Sequence, residues 1–342
     1  MNKSKIDWTD YSWNPVTGCL HTCPYCYARR QSARFAGDVR LNLSDPRCER
    51  YLDQEGLYVL HEPFITRENR SISYPFGFAP TLHEYRLYEK SGPALVKNGV
   101  NFFVGSMTDL FGDWVPTAWI GWTFETCKLY PQHNYMFLTK NPERYRKLSI
   151  AGHLPELPNM WFGTSITDPS MAAFHSAAHN TFLSIEPILA PFPDFVANLG
   201  VPLPGWVIIG AETGRRKDKV VPERKWIQDI AKDCRAYGIP VFMKESLAEL
   251  LGDDFVQEYP PRLMYKRPSP VQKKQLWEKC SLCKTEFRKK DMIALLAREK
   301  RGASAVKLGY ACPICFKGLQ ASLSAEKPCA CAIREDSNEI IR

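Results

Sequence analysis

Six short apolar runs, each closing on a polar or small residue, recur through the middle of the chain: Asn101–Ser106, Asn134–Lys140, Met160–Ser165, Thr181–Glu186, Trp206–Glu212 and Pro240–Lys244. Runs of this length, rich in aromatic and β-branched residues, read as strands buried on both faces, which is the mark of a parallel sheet. Helical periodicity fills the intervals Pro116–Leu129, Pro142–Leu148 and Pro222–Tyr237, and one more strand is expected near Tyr11–Val16. About seven strands alternating with helices predict an α/β fold, a partial or full parallel (β/α) barrel. In such a barrel the loops at the C-terminal strand ends build the active site. Ser106 and Asp109, Thr139 and Lys140, Thr164 and Ser165, Glu186, Glu212 and Lys244 all fall at those ends, which predicts one shared cavity.

Just after the first expected strand comes Gly18-Cys19-Leu20-His21-Thr22-Cys23-Pro24-Tyr25-Cys26-Tyr27. Its C-x3-C-x2-C spacing lets one loop offer Cys19, Cys23 and Cys26 to three irons of a [4Fe-4S] cluster, leaving the fourth iron without a protein ligand. Such an open metal position serves chemistry rather than scaffolding. A zinc site completed by His21, or three buried structural thiols, are the alternatives. Cys48, Cys127 and Cys234 stand alone in the sequence and are expected to be buried thiols.

The chain has 342 residues, 44% hydrophobic and 24% charged, enough for a full-sized core and more than one domain. No stretch of 18 apolar residues occurs and the first residues lack an apolar signal core, so no membrane is expected and the cytoplasm is the expected compartment. Twelve cysteines in that setting point to metal sites rather than disulfides. The excess charge is concentrated: residues 259–342 carry 18 Lys or Arg against 8 Asp or Glu, whereas the first 258 carry 27 against 29. A basic C-terminal quarter suits a polyanion, with nucleic acid as the expected partner.

Composition also marks the domains. Residues 1–258 read as the barrel, interrupted by a long insertion of aromatic and basic residues at about 29–97, a lid, a recognition surface or padding. Residues 259–275 read as a basic, Pro-containing linker. Residues 276–320 then form a small zinc-ribbon-like module holding structural zinc through Cys280, Cys283, Cys312 and Cys315, and residues 321–342 a tail. A helix over Lys289–Lys300 is expected to fill the gap between the two cysteine pairs. A second iron–sulfur cluster is the competing reading of these cysteines, and Cys329 and Cys331 are further potential ligands.

The cysteine spacing, with Tyr25 before the last cysteine, resembles the radical S-adenosylmethionine (SAM) superfamily. The likeness narrows with Trp13-Asn14-Pro15-Val16-Thr17-Gly18-Cys19, Val104-Gly105-Ser106-Met107-Thr108-Asp109-Leu110-Phe111, Phe137-Leu138-Thr139-Lys140-Asn141-Pro142-Glu143-Arg144, Ser184-Ile185-Glu186-Pro187 and Gly210-Ala211-Glu212-Thr213-Gly214. Together these resemble a phage and prophage family of radical SAM-like proteins of unassigned function, over about Ile6 to Glu258. The resemblance implies a barrel of radical SAM type whose cluster and SAM generate a 5′-deoxyadenosyl radical. It implies SAM contacts at Tyr25, Gly105, Ser106, Ser165 and Glu186, and substrate or proton-handling roles at Lys140, Glu212 and Lys244. An electron donor such as flavodoxin or ferredoxin would then be a partner. The substrate it suggests is a base of nucleic acid, DNA before RNA, and the reaction an isomerisation of an amino-acid adduct of thymidine during phage DNA hypermodification. Photolesion repair, RNA modification and a non-catalytic zinc-dependent nucleic-acid binder are the alternatives.

Overall fold

The computed structural model describes residues 2–66, 69–88, 91–214 and 216–264, and short segments between 277 and 341. The chain divides into two compact units, residues 1–266 and 267–342. The first begins with β1 (Asn2–Lys3), β2 (Tyr11–Trp13), β3 (Val16–Thr17), α1 (Tyr27–Arg34), α2 (Val39–Leu43), β4 (Glu49–Arg50), β5 (Tyr58–Leu60) and β6 (Thr81–His83). It continues with β7 (Asn101–Val104), α3 (Thr117–Leu129), β8 (Asn134–Thr139), α4 (Pro142–Ile150), β9 (Met160–Ile166) and β10 (Asn180–Ile185). It closes with β11 (Val207–Ile209), α5 (Arg224–Ala236), β12 (Val241–Met243), α6 (Ala248–Leu251) and α7 (Pro261–Met264).

The principal sheet runs β1-β2-β7-β8-β9-β10-β11-β12, and all neighbours from β2 onward are parallel. These seven are the strands the apolar runs predict. The sheet is open, since β12 does not pair with β1 or β2; of the two expected forms, the partial barrel is correct. Side chains alternate between its faces. Phe102, Tyr135, Phe137 and Phe162 pack outward against Trp119, Ile120, Phe124, Tyr145 and Leu148 of α3 and α4. Leu183, Ile185, Val207, Ile209 and Val241 pack against Ile227, Ile230 and Cys234 of α5. Each such buried side chain contributes roughly 1.5–3 kcal/mol. The other face buries Phe103, Met136, Trp161, Phe182 and Ile208, closed below by Trp8, Tyr259 and Leu263. Polar residues appear above that plug only at the strand C-termini, which places the site at one end.

The insertion forms its own sheet, ordered β3-β6-β5-β4, over a small core of Tyr58, Leu60, Phe64 and Phe76. Pairing of β3 with β6 ties it to the segment that enters the cysteine loop. Here His83, fully buried, exchanges a 2.8 Å hydrogen bond with Thr17 Oγ1 through Nε2. Burial, reinforced by Arg86, holds its pKa well below the usual value, so the fold requires the neutral ring. The unfolded chain takes up that proton below about pH 6.5. Stability is therefore expected to fall as pH drops through that value, by about 1.4 kcal/mol per unit down to the folded pKa. In thermal melts from pH 7.5 to 5 the gap between wild type and His83→Gln should narrow; a constant gap would refute this.

Cys127 and Cys234 are buried thiols, as expected, whereas Cys48 is half-buried. In the second unit β13 (Trp277–Lys279) pairs antiparallel with β14 (Glu286–Arg288). The strands β15 (Ile293–Ala297), β16 (Val306–Ala311), β17 (Ala332–Arg334) and β18 (Glu339–Ile341) form a sheet ordered β16-β15-β18-β17. The helix expected over Lys289–Lys300 is thus wrong. Its apolar centre is β15, paired on both sides, and ladder pairing overrides the helix propensity of Ala and Leu. Cys280, Cys283, Cys312, Cys315, Cys329 and Cys331 lie outside the described residues. Among the described residues no helix is long and apolar enough to cross a membrane.

Candidate functional site

The cysteine loop is held from three directions. Gly18 turns it out of β3 with φ +87°, and a Cβ there would come within 2.2 Å of the Ala79 carbonyl oxygen. Cys19 N donates to Phe78 O of the insertion at 3.1 Å, and Gly18 N to Met107 O beyond β7 at 2.9 Å. At the far end Cys26 is the N-cap of α1, its Sγ accepting from Arg29 N at 3.3 Å. Arg29 then reaches back from α1, donating to Cys19 O at 3.2 Å and His21 O at 2.7 Å over the Phe78 ring. Gly18→Ala is expected to lose about 2–4 kcal/mol, combining left-handed strain with a backbone clash. Urea unfolding checks it; a midpoint equal to wild type would show that the loop can shift.

Asp109 joins the loop to two strand ends. Its Oδ1 accepts from Thr139 Oγ1 at 2.7 Å and Phe111 N at 3.1 Å. Its Oδ2 accepts from Lys140 N at 2.9 Å and meets His21 Nε2 at 2.9 Å. Asn14 does similar work nearby: its Oδ1 accepts from Met107 N at 2.9 Å, and its side chain lies 3.2 Å from Ser106 Oγ. Tyr27 OH donates to Ser106 O at 2.6 Å.

Charges alternate along the remaining strand ends. Lys140 Nζ donates to Ser165 Oγ at 2.9 Å and lies 5.4 Å from the centre of the Tyr25 ring. Lys244 Nζ is hydrogen-bonded to Glu186. Gly210 stands beside that pair, and a Cβ on it would come within 2.9 Å of Lys244 Cδ; a larger residue there would force the pair apart. Glu212 takes a bidentate bond from Arg216, both contacts 2.7 Å, and that guanidinium holds its pKa below the usual carboxylate value.

A single cavity of about 470 Å³ collects these groups, within the range of small-molecule sites. Cys19, Cys23, Cys26, Tyr25, Gly105, Ser106, Lys140, Ser165, Glu186, Glu212 and Lys244 all line it, with Asp109 and Thr139; of the strand-end residues singled out from the sequence Thr164 does not, its Oγ1 accepting from Phe174 N at 3.0 Å. The three thiols are free, Cys19 buried and the others half-buried. Burial pushes the Cys19 thiol up to about 12, so taking up metal there must displace a proton. The donor set suits a cubane, which spreads three thiolates over separate irons. One zinc ion would need its donors to converge at about 2.0–2.3 Å. Among the described residues no group of three His, Cys, Asp or Glu is drawn together as a metal site, and His21 Nε2, the fourth donor a zinc site would need here, is turned to Asp109. Sequence reasoning missed Arg29, His21 in its role on Asp109, and Trp8 on the cavity floor, since none stands at a strand end.

An open parallel βα barrel, with a three-cysteine loop and six strand ends sharing one cavity, is the class this architecture defines. The chain belongs to the family described as a protein of unknown function, DUF5131, whose match covers residues 3–253. No curated protein matches it. Among solved structures it is similar to a cysteine-to-serine mutant of spore photoproduct lyase, at 12% identity and a TM-score of 0.36, over 94% of this chain and 74% of that one. A likeness of that size carries no argument about activity.

Proposed function

We propose that this chain is a radical SAM enzyme that modifies a nucleic-acid base, and more narrowly that it isomerises an amino-acid adduct of thymidine. The observation that carries the reading is that Cys19, Cys23 and Cys26 open onto the same cavity as the charged strand ends. When bound, a [4Fe-4S] cluster with one free iron supplies the electron that splits SAM to a 5′-deoxyadenosyl radical. The three cysteines would hold it. Glu186 and Lys244, a carboxylate beside an ammonium, complement the two charges of an amino-acid group, and Lys140 with Ser165 on the neighbouring strands adds one cation and a neutral hydroxyl. Gly105 and Ser106 present backbone beside the loop. Glu212, kept ionised by Arg216, is suited to orient the substrate as a carboxylate; the same guanidinium makes it a weak proton acceptor.

Nucleic acid is favoured by charge. Arg30, Arg216 and Lys219 all act on Glu212, so cations gather around that strand end; separately, the C-terminal quarter of the sequence is basic. Phosphate contacts of this kind give affinity without sequence readout. Cys280, Cys283, Cys312 and Cys315 are proposed to hold structural zinc; metal analysis near one zinc per chain supports this, and eight irons would replace it with a second cluster.

The test is anaerobic reconstitution with iron and sulfide. The expected product is a brown protein whose reduced form gives an EPR signal perturbed by SAM, and which releases 5′-deoxyadenosine when a flavodoxin- or ferredoxin-type donor is added. A colourless protein holding zinc alone would end the radical reading. Mass spectrometry of nucleosides from DNA exposed to the active chain then identifies the base changed.

A further inference from the structure

Two segments far apart in sequence bring cations together beside the cavity. Residues 27–34, which form α1, and residues 212–219, which follow β11, carry seven Lys or Arg against two Asp or Glu, whereas the rest of residues 1–258 carries 20 against 27. On α1, Tyr27, Arg30, Gln31 and Arg34 stand at i, i+3, i+4 and i+7 and so share one face. Tyr27 and Gln31 line the cavity and are exposed to solvent, and the same holds for Thr213 of the β11 loop. That face of α1 and that loop therefore both form part of the cavity rim. They meet there: a Cβ on Gly214 would lie 3.8 Å from Arg30 Nη2. Arg216 is fixed on the buried Glu212 through Nε and Nη2, and the charges of Arg30 and Lys219 both reach that carboxylate. Arg30, Arg34 and Lys219 are exposed, and among the described residues none of the three is in an ion pair. Like charges gathered this way repel one another, so the strip is a liability to the fold until an anion meets it.

Arg30 and Arg34 are about 6 Å apart along the helix axis, and the β11 loop extends the same strip. Charges laid out along a line suit anions strung on a backbone better than one small ion. We propose that this rim is a phosphate track, in which Arg30, Arg34 and Lys219, with Arg216 held in place by Glu212, grip the backbone of a nucleic acid beside the cavity that takes its base. This rests on the functional reading above and adds where the polymer lies. Contacts of this kind position a strand without reading its sequence, which leaves recognition of the base to the cavity. An acidic electron-donor protein is the competing polyanion, since α1 starts at the cysteine loop. Nucleic acid is favoured because the cations adjoin Gln31 and Thr213 on the rim of the cavity itself.

The experiment measures binding of a short, fluorescent, thymidine-containing single strand to the anaerobically reconstituted full chain, by anisotropy over a range of salt concentrations. Wild type is compared with the double variant Arg30→Gln/Lys219→Gln. The control is Lys128→Gln/Lys147→Gln, which removes the same charge from the last turns of α3 and α4, at the opposite end of the sheet. The rim variant should bind about tenfold or more weakly, and its slope of log affinity against log salt should fall by about 1.4, the share of two phosphates on a single strand. The loss should be the same for a strand of different sequence, and the control should stay within about twofold of wild type. The rim variant should melt at or above wild type, because fewer like charges crowd the rim. Affinity and slope equal to wild type overturn the track and leave the nucleic-acid reading standing. An equal loss in the control reduces the effect to overall charge, and a clear fall in melting temperature reduces it to structure; either overturns the track. So does weaker binding of flavodoxin with the oligonucleotide unaffected, which gives the strip to the electron donor. A wild-type chain that binds no oligonucleotide sinks the track and the nucleic-acid reading together, while cluster assembly and 5′-deoxyadenosine release judge the radical reading separately.

Discussion

Replacing Cys23 by alanine is expected to abolish SAM cleavage while leaving the fold intact. Cys23 is half-buried and free, so removing one sulfur atom from a surface loop should move the melting temperature of the metal-free protein little. The effect on chemistry is of another order. Partners that only touch a metal ligand already change affinity or activity by about 10–100-fold when removed, and Cys23 would be a ligand itself. The reconstituted variant should lose most of its bound iron and release 5′-deoxyadenosine at least about a hundredfold more slowly. Iron content, the EPR signal and product release all read the outcome. A variant that kept its cluster and turned over normally would show that these thiols serve only the structure.

Asp109→Ala is expected to be the most damaging change to stability in the site. The carboxylate is 6% exposed and serves Thr139, Phe111 N, Lys140 N and His21 at once. Alanine would strand several donors in a buried place, and breaking a buried ionic or multiply bonded group costs about 3–5 kcal/mol. Denaturant unfolding should show that loss. The surviving folded protein should also reconstitute poorly, because His21, midway along the cysteine loop, would lose its tether. A fall in stability with normal cluster uptake would separate the two roles and make Asp109 purely structural.

Much of the barrel was legible because its parallel strands lie in short apolar runs, and the three intervals that hold α3, α4 and α5 show plain helical periodicity. The polar residues that end those runs face a common cavity for the same reason: parallel strands all point one way, so their ends collect. What stayed hidden depends on contacts far apart in sequence. Trp8 precedes the first parallel strand and meets Phe103, Phe182 and Trp206 only after the sheet curls. The strands β3 to β6 hold two or three residues each, too few for a period-two pattern to show. At Ile293–Ala297 local propensity pointed to helix and long-range pairing decided for strand.

The unclosed side of the barrel has a mechanical consequence. Where β2 and β12 fail to meet, the join uses Asp7, whose Oδ2 accepts from Glu245 N at 2.7 Å and whose carbonyl accepts from Tyr259 OH at 3.3 Å. The outer edge of β12 is covered instead by the strip that follows it, through Met243 N to Val256 O at 2.9 Å and Glu258 N to Val241 O at 2.8 Å, which shields its amides from stray pairing. A full ladder along the seam would resist separation with a row of amide bonds; two isolated ones can be parted and remade without unravelling any strand. The two edges of the sheet are thus joined by side chains and by the packing of Trp8 against Phe103 and Trp206, and not by a ladder.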